Sequence, residues 1–300
     1  MRLLRVLKRR YQLAGPAARR FVADGVAAVR RLKIIVGRAV EGHRYFYLGP
    51  DVALTRLKSG HMLYVDPQDD SVSAHLIAHG FWEEWVHSVL RSLVSPGDRV
   101  IDVGANLGYY TVALARSVGV DGSVIALEAN GRLAALVQRS VDFNGYANTV
   151  RVIPKAASDQ PGTVSFMTSR RNSGSGHTRV AESGMGEDTV VVEVETVRLD
   201  DLEMEEANLI RIDAEGSEAL VLRGASRLLQ NPDIVVCMEW SVVQMKSRSS
   251  VPEFVEWLSS MGFQFWKIEE TATLTPVAAD RMVELEHCDV VLSRTTPRRR

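Results

Sequence analysis

Cysteine is nearly absent: only Cys237 and Cys288 stand in 300 residues. Two thiols cannot build a disulfide framework, and their spacing matches no zinc knuckle. Both lie in apolar, strand-like surroundings (VVCME and EHCDVV) and read as buried free thiols in a reducing compartment. Long apolar runs are missing too. None approaches the roughly 20 residues a bilayer span needs. Arg5, Lys8, Arg9 and Arg10 interrupt the N-terminal segment before a signal-peptide core can form. A cytoplasmic protein is expected.

Acids are scarce at the N-terminus and bases are outnumbered elsewhere. Residues 1–44 hold twelve Lys/Arg against only Asp24 and Glu41, which leaves 24 bases and 35 acids for the rest. The body therefore lacks the basic stripe that nucleic-acid binding needs, and no nucleic-acid partner is expected. Hydrophobic content of 46% and charged content of 24% are those of an ordinary globular chain, long enough for one large α/β domain with an appendage.

Four regions are expected: a basic extension (1–44), strands and a helix that pack on the core (45–96), the main domain (97–295) and a basic tail (296–300). In the extension, Leu4, Leu7 and Tyr11 share a helical face, which suits a peripheral membrane or partner contact; a plain covering segment fits equally. Residues 45–66 read as short strands with turns at Gly49-Pro50 and Ser59-Gly60. From Phe81 to Leu93, apolar residues recur at helical spacing, and Trp82 and Trp85 read as packing residues.

From Arg99, apolar strands alternate with helices. Strands are expected at 100–103, 123–127, 150–153, 209–212, 234–239, 263–268 and 289–293, with extended segments at 164–167 and 190–196. Helices are expected at 107–117, 131–143, 217–229 and 251–261. This alternation predicts an α/β fold built on a doubly wound, mostly parallel sheet. Between Ser169 and Thr189 the chain turns to Gly and Ser (SRRNSGSGHTRVAESGMGEDT), the composition of a lid or a loose loop.

The segment VIDVGANLGYYTVALA (100–115) joins a strand to a helix through glycines. Gly104 and Gly108 allow a sharp turn and close backbone approach to a ligand at a helix N-terminus. The Gly-x-Asn-x-Gly spacing, with Asn106 in the middle, departs from the Gly-x-Gly-x-x-Gly of dinucleotide folds and lacks its third glycine. The next strand ends on Glu128 (VIALEAN), placed to accept both hydroxyls of a ribose. Asp102 ends the first strand beside the turn.

Several stretches together resemble the FkbM family of methyltransferases: GDRVIDVGANLGYYT, VIALEAN, AASDQPG, VRLDDL and LIRIDAEGSEALVLRGA. The resemblance runs from about Leu57 to the end and leaves residues 1–44 outside. It implies a class I, Rossmann-like methyltransferase fold and S-adenosylmethionine as cofactor. It places Asp102, Gly104, Ala105, Asn106, Gly108, Tyr110 and Thr111 on the methionine side, Glu128 on the ribose, and Ala157 and Ser158 beside the adenine. It also implies O-methylation, often of a sugar or natural-product hydroxyl. Ala129-Asn130 follows Glu128 where such proteins often have proline, which bears on loop stiffness.

A hydroxyl is a poor nucleophile, so a base within hydrogen-bond reach is expected. Asp213 and Glu215 (DAEG) and Glu239 follow later strands at the end where a cofactor crevice opens. They are the candidate catalytic acids. They could also hold Mg²⁺, although no further ligand cluster is evident and no metal is expected. Alternatively, Glu215-Gly216-Ser217 only starts a helix, with Ser217 as its cap. His177 in the Gly/Ser loop is a further possible base, and His79 could face the acceptor. The expected acceptor is a small molecule or a glycolipid. The rival readings are a nicotinamide-dependent oxidoreductase and a non-catalytic cofactor-binding scaffold.

Overall fold

The computed structural model describes residues 44–178 and 189–297. The N-terminal helical face, the second half of the Gly/Ser loop and the terminal arginines lie outside the described residues. By its contacts the chain divides between Arg44 and Tyr45, and the fold is that of the unit from Tyr45 onward.

Strands β1 (Tyr45–Tyr47), β2 (Ala53–Arg56) and β3 (Met62–Val65) form an antiparallel meander. Two helices follow, α1 (Val72–His79) and α2 (Glu84–Leu93). The first was not foreseen. The second starts three residues later than the periodicity suggests, because Gly80 ends α1 in a left-handed conformation and Phe81–Glu83 form the turn between them.

Next come β4 (Arg99–Val103), α3 (Tyr109–Val118), β5 (Ser123–Leu127), α4 (Gly131–Phe143) and β6 (Val150–Ile153). Then β7 (Ala156–Ala157), β8 (Gly162–Ser169), β9 (His177–Thr178) and β10 (Thr189–Val197) form a separate four-stranded sheet, in the order β7-β10-β8-β9. The extended segments at 164–167 and 190–196 thus exist but stay out of the main sheet. Strand β10 buries only Val194 and Thr196 and leaves Val190 and Val192 exposed. A strand with one wet face does not suit a sheet covered on both sides.

The remaining elements are β11 (Leu209–Ile212), α5 (Glu218–Arg223), β12 (Val235–Trp240), α6 (Val242–Met245), α7 (Val251–Ser260), β13 (Gln264–Ile268), β14 (Leu274–Val277) and β15 (Cys288–Ser293). The helix expected at 217–229 breaks after Arg223 and resumes as a 3₁₀ turn at Leu228–Gln230. Gly224 lies against the Ser158 carbonyl, where a Cβ would come within 2.1 Å of its oxygen.

The main sheet runs β14-β13-β15-β12-β11-β4-β5-β6. Strands β12, β11, β4, β5 and β6 are parallel, and β15 enters antiparallel against β12. Side chains alternate between two cores. Val100, Val124 and Leu209 face one, with α2, α3, α4 and the β1–β3 meander; Ile101, Val103, Ile210 and Ile212 face the other, with α5 and α7. From β4 the chain proceeds to β5 on one side and later to β11 on the other. That reversal opens a crevice beyond the C-terminal ends of β4 and β11, where ligands of such sheets bind.

Candidate active site

The crevice holds a cavity whose walls come from the β4–α3 turn, the ends of β5, β11 and β12, the α1–α2 turn and the β8–β9 region. Gly104, Ala105, Asn106, Tyr110, Glu128 and Ala157 line it, as do Asp213, Glu215 and Glu239. Residues scattered over more than a hundred positions of sequence therefore meet in one place.

The turn is built for close approach. Gly104 has φ +75°, and a Cβ there would lie 1.8 Å from the Asp213 carbonyl oxygen. Its first service is to let the end of β11 come close. Gly108, with φ +85°, caps α3 and packs on Val137. Asn106 also has positive φ, and its Oδ1 is buried without a hydrogen-bond partner. A buried amide oxygen is costly to leave unmade, so it marks a place for a ligand donor.

Glu128 accepts from Asn106 N at 2.7 Å and from Asn130 N at 2.8 Å. Each oxygen keeps a lone pair for a hydroxyl. Burial pushes its pKa up to about 7 against the pull of these two amides. Asn130 in turn caps α4 through Arg132 N and donates to Thr168 Oγ1 at 2.9 Å. The residue standing near the expected proline thus ties Glu128 to both a helix and the second sheet.

Four expected site residues are not among the cavity walls. Asp102 and Thr111 are fully buried and are not cavity walls; Thr111 Oγ1 donates to Asp102 at 2.6 Å. In register with Asp102 across the sheet is Arg211. Its guanidinium reaches Asp102 at 3.4 Å, Gly104 O at 2.9 Å and Asp213 at 2.8 Å, and it stacks 4.5 Å from the Tyr110 ring centroid. Asp102 therefore acts through Arg211, which does line the cavity. Ser158 is not a wall either; its N–H donates to Val197 O and its hydroxyl to Asp159. Gly108 is a cap rather than a wall.

The lone Arg in the apolar run LIRI is the signal that sequence reasoning missed. Trp82 and Glu83 were missed as well: both line the cavity, so Trp82 is more than packing. His177 is not a wall; its ring bonds to Ser175 O at 2.8 Å. His79 is exposed and its ring lies tilted against His75, with centroids 4.5 Å apart. Ser217 does not cap α5 with its side chain; Glu218 Oε1 instead accepts from Ala214 N and Gly216 N.

Carboxylate oxygens of Asp213, Glu215 and Glu239 all lie within 4.8 Å of one another, close enough to hold a hard divalent cation. Burial, then the neighbouring Asp213 and Glu218, push Glu215 up to about 8. Burial and the surrounding acids, Asp213 first, also raise Glu239. Glu215 accepts from Gln244 Nε2, and His287 Nε2 stands 3.5 Å from Glu239 Oε1. Glu239 Oε2 is buried and unpartnered.

The sheet order and the glycine turn with two strand-end acids define a nucleoside-binding fold of the class I methyltransferase type. A profile of the methyltransferase FkbM domain matches residues 102–265, more than half of the chain, and the chain belongs to that family. Its domain is of the S-adenosylmethionine-dependent class, and the paired lone pairs of Glu128 and the orphaned Asn106 amide fit that cofactor.

Among curated proteins, a protein-L-isoaspartate O-methyltransferase of Aeropyrum pernix is 38% identical over 58 residues, covering 19% of this chain and 22% of its own. One from Archaeoglobus fulgidus is 33% identical over 57 residues, 19% of this chain and 26% of its own. The match thus spans about a quarter or less of those relatives. Among solved structures, an FkbM methyltransferase of Methylobacillus flagellatus aligns with TM-score 0.42 at 14% identity, over 72% of this chain and 51% of that one. An O-methyltransferase of Bacillus cereus in complex with SAH aligns with TM-score 0.41 at 15% identity, over 73% and 84%.

Proposed function

We propose that the whole protein transfers a methyl group to a hydroxyl oxygen of a sugar-containing or other polyhydroxylated small molecule. The observation that carries this reading is the convergence of Asp213, Glu215 and Glu239 on the cofactor cavity. Bound S-adenosylmethionine would supply an activated methyl group. The chain's own work is to orient the acceptor, exclude water and receive the hydroxyl proton.

Glu215 is the general base of this reading: once ionised, a carboxylate raised to about 8 is a far better proton acceptor than an ordinary one, so transfer should rise with pH through about 8. Glu239, with a free buried oxygen, binds a second acceptor hydroxyl. Asp213 has its charge balanced by Arg211 and lines the cavity beside the other two acids.

The test is methyl transfer from labelled donor to a panel of hydroxylated glycosides and glycolipids. An ether methyl that survives mild base supports the reading. A base-labile ester or a methylated nitrogen overturns it. Glu215→Gln should lower kcat by about a hundredfold or more.

A lipid-linked acceptor would also account for the basic extension, since residues 1–44 would hold the protein at an anionic membrane surface. No helix among the described residues is long and apolar enough to cross a membrane. Deleting residues 1–44 should abolish sedimentation with anionic vesicles, and unchanged sedimentation would end this part of the reading.

A further inference from the structure

Among the described residues, four other than glycine have positive φ, and three of them line the same cavity: Glu83 at 37°, Asn106 at 50° and Glu215 at 48°. Asn tolerates this region, whereas a glutamate there is strained. Strain of this kind persists where the surroundings impose it, and it gathers at ligand sites.

Glu83 is the least explained of the three by local structure. It is the N-cap of α2, yet its side chain makes no capping bond. A residue there would ordinarily satisfy a helix N–H. Its carboxylate turns to Tyr110 instead, and Glu83 Oε2 accepts from the phenol hydroxyl at 2.7 Å. Among the described residues, the other oxygen, Oε1, has no hydrogen-bond partner. Glu83 thus forgoes both a relaxed backbone and a cap to present one free carboxylate oxygen.

Of the other acids near Tyr110, Asp289 does not line the cavity, and the rest are matched. Asp213 and Asp102 share Arg211, and Arg211 also takes Gly104 O. Glu128 holds the glycine turn at Asn106 N, whereas Glu83, Tyr110 and Arg211 form a linked group that meets the turn at its strand end, Gly104 O, and all of them line the cavity. On the reading that this cavity holds S-adenosylmethionine, that end receives the amino-acid portion, whose ammonium needs a counter-charge.

We propose that Glu83 is the counter-ion of the cofactor's α-ammonium group and that Tyr110 positions it. Glu83 Oε1 accepts from the ammonium, while the Tyr110 hydroxyl holds Oε2. The ring of Tyr110 is fixed in turn by the Arg211 guanidinium stacked on it.

Titration calorimetry of the full chain with two ligands tests this. S-adenosylhomocysteine carries the ammonium, and 5′-methylthioadenosine keeps the nucleoside but lacks the amino-acid end. Glu83→Gln should weaken S-adenosylhomocysteine about ten- to a hundredfold and leave methylthioadenosine unchanged. Tyr110→Phe should reproduce part of that loss.

Glu83→Gly should weaken S-adenosylhomocysteine equally, while the ligand-free melting temperature holds or rises, because glycine adopts this backbone freely. That opposite movement separates ligand binding from a structural role. Equal weakening of both ligands, or of neither, overturns the proposal. If the unaltered protein bound neither ligand, the cofactor assignment would fall first, and the proposal with it.

Discussion

Arg211 sets the charge balance of the site. Asp102 is wholly buried, and burial raises its pKa, with Arg211 the chief opposing influence. Burial also works against the Arg211 charge, but Asp213 and Asp102 outweigh it and its pKa is raised. Arg211→Ala would strand Asp102 without a counter-ion. The expected loss of stability is about 3–5 kcal/mol by urea unfolding, because breaking a buried pair costs more than the pair contributes. Adding Asp102→Asn should recover part of it, and additive losses would show that the two do not act together. Glu128 is the complementary case. Glu128→Ala should weaken S-adenosylhomocysteine at least about tenfold by calorimetry, since two charge-assisted hydroxyl bonds go with it. The position of Glu128 on the cavity wall could be read from its place at a strand end. Arg211 and Glu83 could not, because one depends on strand register and the other on a backbone conformation that no motif records.

At the scale of elements, the parallel strands were legible because each is a short apolar run bounded by turn residues, as in RVIDVGAN and SVIALEAN. The second sheet was legible only as extended chain, because pairing such as Val190 with Thr168 is set by long-range packing. Helix α1 escaped because VSAHLIAH carries small and polar residues on a short segment with weak periodicity. The second sheet matters for the site through β9. Thr178 Oγ1 lies 3.0 Å from Ser217 Oγ and receives Arg248 Nε at 2.8 Å. Thr178→Val would remove both bonds and leave the core untouched. The expected result is faster dissociation of S-adenosylhomocysteine by stopped flow, with the melting temperature nearly unchanged. Asn130 links the same sheet from the other side. Asn130→Ala should cost about 1 kcal/mol through the lost cap and loosen Glu128 with it.

Across the whole molecule, the buried acids give stability a particular pH dependence. Burial pushes Glu128, Glu218 and Asp289 up to about 7 and Glu215 to about 8. Unfolded carboxylates titrate near pH 4. The folded protein therefore holds protons that the unfolded chain has released, and the stability these groups contribute falls as pH rises from about 4 and is fully lost once pH has passed 7 to 8. On the acid side His87 has the reverse effect. Burial holds it down to about 4, so its contribution is present above the ordinary histidine range and is lost as pH falls through 4. Ligand-free stability should peak at mildly acid pH and decline by pH 8, measured by thermal melting at matched ionic strength. The same series discriminates the two uses of the acid cluster. A cation held by Asp213, Glu215 and Glu239 would compete with their protons and stabilise the ionised form. Magnesium or manganese would then raise the melting temperature strongly at pH 8 and little at pH 5, and the Glu215→Gln variant would lose that difference. An equal shift at both pH values, or none, leaves the three carboxyls to handle the acceptor's proton.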